Sequence, residues 1–357
     1  MTINKTLTEL YQEKSGKVSL KWELYLKEYD RVLAEYQDSS VNILEIGVQN
    51  GGSLEAWSQY FKNAQSIVGV DIDQKCQSLV YSDNRIQVII GDCCQQDVLE
   101  KITRQTATFD LVFDDGSHQS ADIIKAFLLY FPKLSVDGVY IIEDLHCSYW
   151  ANYEGGLFDP YSSIAFIKKL IDIINHQHWQ NEISINLFLE NFLIQSGLDA
   201  LTINVDFLNQ IHSIEIINSL CIIKKKAVQD NIISELTVRG SDDSIVSEDA
   251  KQVIEQAITI QNQNENIFST LAYQNSADFD IKLAAIRDDL ISSKAIVQKK
   301  EQDIADLRHE NYDLHNKLYE VTTQLNQFGE EIQSLNQIIE ANKTSIIIRC
   351  IKKLKNL

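Results

Sequence analysis

The stretch Val41-Asn42-Ile43-Leu44-Glu45-Ile46-Gly47-Val48-Gln49-Asn50-Gly51-Gly52-Ser53, followed by Leu54-Glu55-Ala56-Trp57, decides the fold. A short apolar run dense in Val, Ile and Leu breaks into glycines, and a helical pattern follows at once. Consecutive apolar positions fit a strand buried on both faces of a parallel sheet. Glycines at a strand-to-helix turn let the backbone approach a ligand, and the helix start offers free N–H donors. Four further runs have the same character: SIVGVDID (66–73), IQVIIGD (86–92), FDLVFDD (109–115) and GVYIIED (138–144). Helix-compatible segments such as SLEAWSQYFKNA (53–64) and SADIIKAFLLYFPKL (120–134) lie between them. Such alternation predicts an α/β, doubly wound sheet. Two later runs, ISINLFLE (183–190) and HSIEIINSLCIIKKK (212–226), are expected to be strands closing the far edge as an antiparallel pair. Residues 1–40, with Leu20, Trp22, Leu24, Tyr25, Tyr29, Val32 and Leu33 at helical spacing, form a predicted helical lead-in to a domain spanning 41–228.

The rest of the strand ends specify a ligand. The second strand ends at Asp71, 24 residues beyond Gly47, where a carboxylate can accept both hydroxyls of a ribose. The third ends in Gly91-Asp92, where a polar side chain can reach an adenine edge. The loop fits neither GxGxxG nor GxxxxGK[ST], and Glu45 would repel a pyrophosphate while suiting a ligand whose tail carries an ammonium. The order E-x-G-x-x-x-G, Asp71, Gly91-Asp92 resembles the class I S-adenosylmethionine-dependent methyltransferases, whose sheet is Rossmann-like and mostly parallel with an antiparallel edge. The donor-binding candidates are Glu45, Gly47, Asn50, Gly52, Ser53, Asp71, Asp92 and Asp114.

The fourth run ends in Asp114-Asp115-Gly116-Ser117-His118 and the fifth in Glu143-Asp144-Leu145-His146. Neighbouring strands lie about 4.8 Å apart, so their ends would bring four carboxylates into one pocket. Such carboxylates repel one another unless a cation intervenes, and a hard divalent ion with oxygen ligands removes the conflict. His118, three residues after Asp115, is placed to take a proton.

Together LEIGVQNGGSLEAW (44–57), VGVDID (68–73), DLVFDDGSH (110–118) and YIIEDLHCSYW (140–150) resemble a metal-dependent branch of these enzymes acting on sugar hydroxyls. Its best-known members are the macrolide-sugar O-methyltransferases of the macrocin and mycinamicin type. Cephalosporin hydroxylase-like proteins are relatives, and similar domains occur among bacterial surface-polysaccharide enzymes. The resemblance covers roughly residues 8–228. It implies Asp115, Glu143 and Asp144 as ligands of a divalent metal, Mg²⁺ by preference, His118 as general base, and a substrate-covering loop that starts at Ser148 with Tyr149 and Trp150, hinged at Gly155 and Gly156. The chain departs from the family in its lead-in: many relatives carry Asp-Lys-Gly and a histidine there, whereas this sequence has Glu13-Lys14 and Lys21-Trp22. The implied activity is S-adenosylmethionine-dependent O-methylation of a sugar or glycoside. A small-molecule acceptor, antibiotic or catechol-like, is the first rival reading, and a non-catalytic assembly protein with a vestigial donor site is the second.

Beyond residue 228 strand signals fade. Residues 229–295 are expected to be a partly helical connector, and from Val297 a heptad runs unbroken through a coiled coil at 296–342. Its a positions are Val297, Ile304, Asn311, Leu318, Leu325, Ile332 and Ile339; its d positions are Lys300, Leu307, Leu314, Val321, Phe328 and Leu335. Asn311 at an a position favours a two-stranded parallel homodimer, in which Asp303 would face Arg308 and Glu310 would face His315. The tail 343–357 has five basic and no acidic side chains, with Ile347, Ile351 and Leu354 on one helical face. A basic amphipathic segment of this kind can rest on an anionic membrane surface.

Composition bounds the remainder. Of 357 residues, 32 are Lys or Arg and 51 are Asp or Glu, a net charge of −19 that argues against a nucleic-acid partner gripped through its phosphates. The start lacks a secretory signal, and no apolar run approaches a membrane span. Six cysteines without a CxxC pair suit a reducing cytoplasm.

Overall fold

In a computed structural model, residues 4–179, 183–198, 204–233, 239–240, 242, 244–245 and 267–354 are described. Seven strands form one sheet: β1 (Asn42–Ile46), β2 (Ser66–Asp71), β3 (Ile86–Ile90), β4 (Phe109–Asp114), β5 (Leu134–Ile142), β6 (Ile211–Ile217) and β7 (Leu220–Lys225). Their order is β3-β2-β1-β4-β5-β7-β6. The first five are parallel, and β7 is antiparallel to both β5 and β6. Chain order reverses between β1 and β4, which opens a crevice at their carboxyl ends.

Side chains along a strand alternate between faces. Ile43, Leu111, Phe113, Val139 and Ile141 meet a cluster that includes Leu7, Tyr25, Tyr29, Val32, Trp57 and Phe61. These come from α1 (Leu7–Gln12), α2 (Glu23–Val32), the residue following α3 (Gly52–Tyr60), and α3 itself. Trp57 stacks on Phe113 with ring centroids 4.3 Å apart, and Tyr29 packs edge-on to both. On the opposite face Tyr140 meets Phe127, which also touches Phe166. Phe127 belongs to α5 (Ser120–Tyr130), which follows α4 (Gln96–Gln105) in the chain, and Phe166 to α6 (Ser163–Ile174). The lead-in is therefore part of the core of this unit. Within it Leu20 and Trp22 precede α2 and are exposed, while Tyr25, Leu26, Tyr29 and Val32 form the buried face.

One expectation is corrected. ISINLFLE is not a strand: residues Ile185–Gln195 form a helix, α7. Ser184 caps it by accepting from the Leu187 N–H, and Ile185, Leu189, Phe192 and Leu193 turn one apolar stripe inward. Both edge strands come instead from the single run 212–226, folded into a hairpin over Asn218-Ser219, with Ser219 at φ +69°.

The molecule divides into two compact units, Met1–Ala272 and Tyr273–Leu357. The helix Ile267–Leu354 makes up nearly all of the second. Along it every apolar a and d residue named above is exposed, from Val297 at 55% to Ile339 at 49%. Residues 246–266 of the predicted connector lie outside those described. Among the described residues no helix is long and apolar enough to cross a membrane.

Candidate active site

The strand ends continue as a row of backbone hydrogen bonds one residue past the sheet. Gly47 N donates to Val70 O, Asp115 N to Ile46 O, Glu143 N to Asp114 O and Gly91 N to Asp71 O, each at 2.9 Å. This row fixes four loops over a cleft of about 590 Å³. Gly47 sits at φ +91°, and a Cβ there would lie 2.0 Å from the Asp115 carbonyl oxygen, so only glycine fits between the β1 and β4 loops. A Cβ on Gly52 would collide with the carbonyl oxygens of Lys17 and Val18, because the lead-in backbone crosses the start of α3. Glu55 anchors that crossing by accepting from the Lys17 N–H at 2.7 Å and from Lys14 Nζ at 3.0 Å.

On the donor side, Gly47, Gly52, Ser53, Asp71, Asp92 and Asp114 line the cleft. Asp71 Oδ2 accepts from the Val48 and Gln49 N–H groups and Oδ1 from that of Asp73, which fixes the carboxylate at the mouth of the glycine loop. Asp92 is held by Cys94 N and Gln95 Nε2. Asp114 is almost fully buried; burial pushes its carboxyl up to about 7, against a hydrogen bond from Tyr140. Two candidates stand off the wall. Asn50 is exposed beside the loop. Glu45 is fully buried behind it, with Oε2 accepting from Ser53 Oγ at 2.8 Å and Oε1 lacking a hydrogen-bond partner. Burial pushes Glu45 up to about 7.

The other half of the cleft is acidic. Asp115, His118 and Asp144 each bring one ligand atom to within 4.8 Å of the others, and the two carboxylates offer the oxygen ligands that a hard divalent ion takes. His118 Nε2 lies 3.8 Å from Asp115 Oδ1 and 3.7 Å from Asp144 Oδ2. His118 (φ +57°) and Asp144 (φ +52°) both occupy left-handed backbone, as does Gln49 across the cleft (φ +50°). Asp144 Oδ1 accepts from Trp22 Nε1 at 3.0 Å and from the Tyr25 hydroxyl at 2.9 Å, which turns Oδ2 toward His118. Glu143 does not join this trio. It is buried, and its Oε1 meets Lys21 Nζ at 2.5 Å.

Lys21 is the residue that sequence reasoning missed. Its ammonium also lies 2.5 Å from Asp115 Oδ2 and 4.0 Å from Glu45 Oε1. Burial alone would pull its pKa down, but Glu143, Asp115 and Glu45 outweigh that and hold it well above the usual lysine range. Tyr149 and Trp150 stand outside the cleft and are exposed. Trp150 packs edge-on to His146 with centroids 4.8 Å apart, and His146 in turn meets Trp22 at 6.3 Å.

Residues 44–145, the span holding these loops, match the family model described as "Methyltransferase domain". This span is similar to methyltransferase domains. Mycinamicin VI 2''-O-methyltransferase of Micromonospora griseorubida is 38% identical over 160 residues, 42% of this chain and 39% of that protein. The 8-demethyl-8-alpha-L-rhamnosyl tetracenomycin-C 2'-O-methyltransferase of Streptomyces olivaceus is 33% identical over 169 residues, 44% of each chain. The match thus spans less than half the length of these curated relatives. Among solved structures, the MycE methyltransferase of the mycinamycin biosynthetic pathway, in complex with Mg and SAH, superposes with a TM-score of 0.53 at 27% identity, covering 72% of this chain and 61% of that one. A second MycE structure, which also holds mycinamycin VI, gives 0.50 at 26% identity, covering 66% of this chain and 58% of that one. The likeness to MycE is thus one of fold, over a sheet that in this chain has seven strands and an antiparallel edge.

Proposed function

We propose that this chain is an S-adenosylmethionine-dependent O-methyltransferase acting on a sugar hydroxyl with the help of a divalent metal. One observation carries the reading: Asp115, His118 and Asp144 converge in the same cleft whose other wall is the glycine loop with Asp71 and Asp92. The relatives methylate glycosides and MycE was solved with Mg and SAH, which supports the donor, the metal and the acceptor class together.

On this reading the glycine loop receives the donor, with Gly47, Gly52 and Ser53 beside its amino-acid end, Asp71 on the ribose and Asp92 at the adenine edge. Asn50 and Glu45 act from outside the wall, Glu45 through Ser53. Asp114 closes the floor. Asp115 and Asp144 would hold the ion, and Glu143 stands behind them on Lys21. A bound Mg²⁺ would lower the pKa of an acceptor hydroxyl and orient vicinal sugar oxygens. His118 accepts the hydroxyl proton at Nε2, the atom the two carboxylates face. The loop after Glu143-Asp144, with Tyr149 and Trp150, offers aromatic faces to the acceptor.

The exposed apolar seam of the long helix supports a parallel homodimer, and its basic end supports a peripheral contact with an anionic surface of the cytoplasmic membrane. Among acceptors, antibiotic glycosides and surface polysaccharides share the sugar hydroxyl that the site would engage. Comparative mass spectrometry of glycans and glycosides from cells with and without the protein tests the reading. One methyl group missing from a sugar in its absence is the expected result, and identical profiles contradict it.

A further inference from the structure

A cation of the chain's own enters the acidic pocket from outside the sheet. Lys21 belongs to the extended segment before α2, and its side chain is only 1% exposed. The segment is pinned on both sides: Lys17 by Glu55 four residues earlier, and Trp22 by Asp144 one residue later. The ammonium therefore rests among Asp115, Glu143 and Glu45 by construction of the backbone around it. Glu45 and Glu143 are buried and Asp115 is partly exposed, and carboxylates this close would repel one another without a positive partner. Lys21 also divides the oxygens of the cluster. It takes Asp115 Oδ2 and Glu143 Oε1, while Trp22 and Tyr25 take Asp144 Oδ1. The oxygens left nearest His118 are Asp115 Oδ1 and Asp144 Oδ2.

We propose that Lys21 is a resident cation of this pocket, which holds Asp115 and Glu143 in place, keeps Glu143 from coordinating a divalent ion, and confines that ion to the free oxygens of Asp115 and Asp144. The inference rests on the metal-assisted reading above, and it makes Lys21 a positioning residue acting through the two acids. It implies a cluster that stays assembled without metal, at the cost of weaker divalent affinity than the same acids would have alone.

The test is Mn²⁺ binding followed by electron paramagnetic resonance, with thermal unfolding alongside, on the full chain and its variants. In Lys21→Met the unpaired acids are expected to lower the metal-free melting temperature by on the order of 10 °C. Mn²⁺ should recover that loss, whereas it should move the wild-type transition little. Removing one positive charge from the cluster should also tighten Mn²⁺ binding by about tenfold or more. The K21M/E143Q variant removes a buried acid with its partner and serves if K21M alone does not fold. It should melt near wild type without metal and bind Mn²⁺ with near wild-type affinity. Wild-type melting and affinity in K21M would overturn the proposal. So would loss of Mn²⁺ binding in K21M/E143Q, which would make Glu143 a ligand, or absence of binding in all three proteins. None of these readouts requires methyl transfer, so a wild-type protein that binds Mn²⁺ but transfers nothing breaks the reaction assignment and leaves the Lys21 result standing.

Discussion

The two units of this chain handle apolar surface in opposite ways. In the sheet unit Trp57, Phe113, Phe127 and Tyr140 are fully buried among residues of the same unit. Along the long helix Leu307, Leu314, Leu318, Val321 and Leu325 recur at heptad spacing, and each is more than half exposed. The sheet unit completes its own core, and the helix, taken by itself, carries an apolar seam that needs a partner. Burial of apolar area is what stabilises a fold, so the first unit should be stable by itself and the second through association.

Three substitutions test that contrast. Trp57→Ala removes the ring stacked on Phe113 and should destabilise the sheet unit by about 3–5 kcal/mol, seen as an earlier cooperative transition in denaturant. An unchanged midpoint would show that the aromatic stack does not hold the core. Leu314→Glu with Leu318→Glu places charge on adjacent d and a positions. It should weaken self-association by about a hundredfold or more, measured by sedimentation equilibrium, while the melting of the sheet unit stays put. A wild-type chain that sediments as a monomer would remove the comparison's second half.

The smallest effect concerns Lys225. Its ammonium is buried at the end of β7 and donates to the carbonyl oxygens of Phe131, Pro132 and Leu134. Burial pulls its pKa down to about 8 from 10.5. Between those values the unfolded chain binds the proton that the folded chain has released, so this lysine's contribution to stability rises with pH across that window. The stability of wild type relative to Lys225→Met should therefore improve by roughly 1–3 kcal/mol from pH 8 to pH 10.5. A flat or falling difference would contradict the assigned environment.

Much of the fold was legible because buried parallel strands announce themselves as continuous Val, Ile and Leu runs ending in Gly or Asp. ISINLFLE misled because a short apolar run has no decisive period, and the helix signal lay in Ser184 as cap with Ile185 and Leu189 four apart. The site residues at strand ends were legible for the same reason that the strands were. Lys21 was visible only as a departure from the family, since its partners Asp115 and Glu143 lie 94 and 122 residues away. Glu45 and Asn50 carried the correct loop but not its depth: one points into the core and the other to solvent, which alternation and turn geometry decide after folding.

The most direct test of the central claim is transfer of a labelled methyl group from S-adenosylmethionine to a deoxysugar glycoside, with Mg²⁺ or excess chelator, by the wild-type chain and His118→Ala. Transfer by wild type with Mg²⁺, loss in chelator, and a fall of about 10²–10⁴-fold in His118→Ala with donor binding retained by calorimetry are the expected results. Undiminished transfer in chelator, or full turnover by His118→Ala, would contradict it.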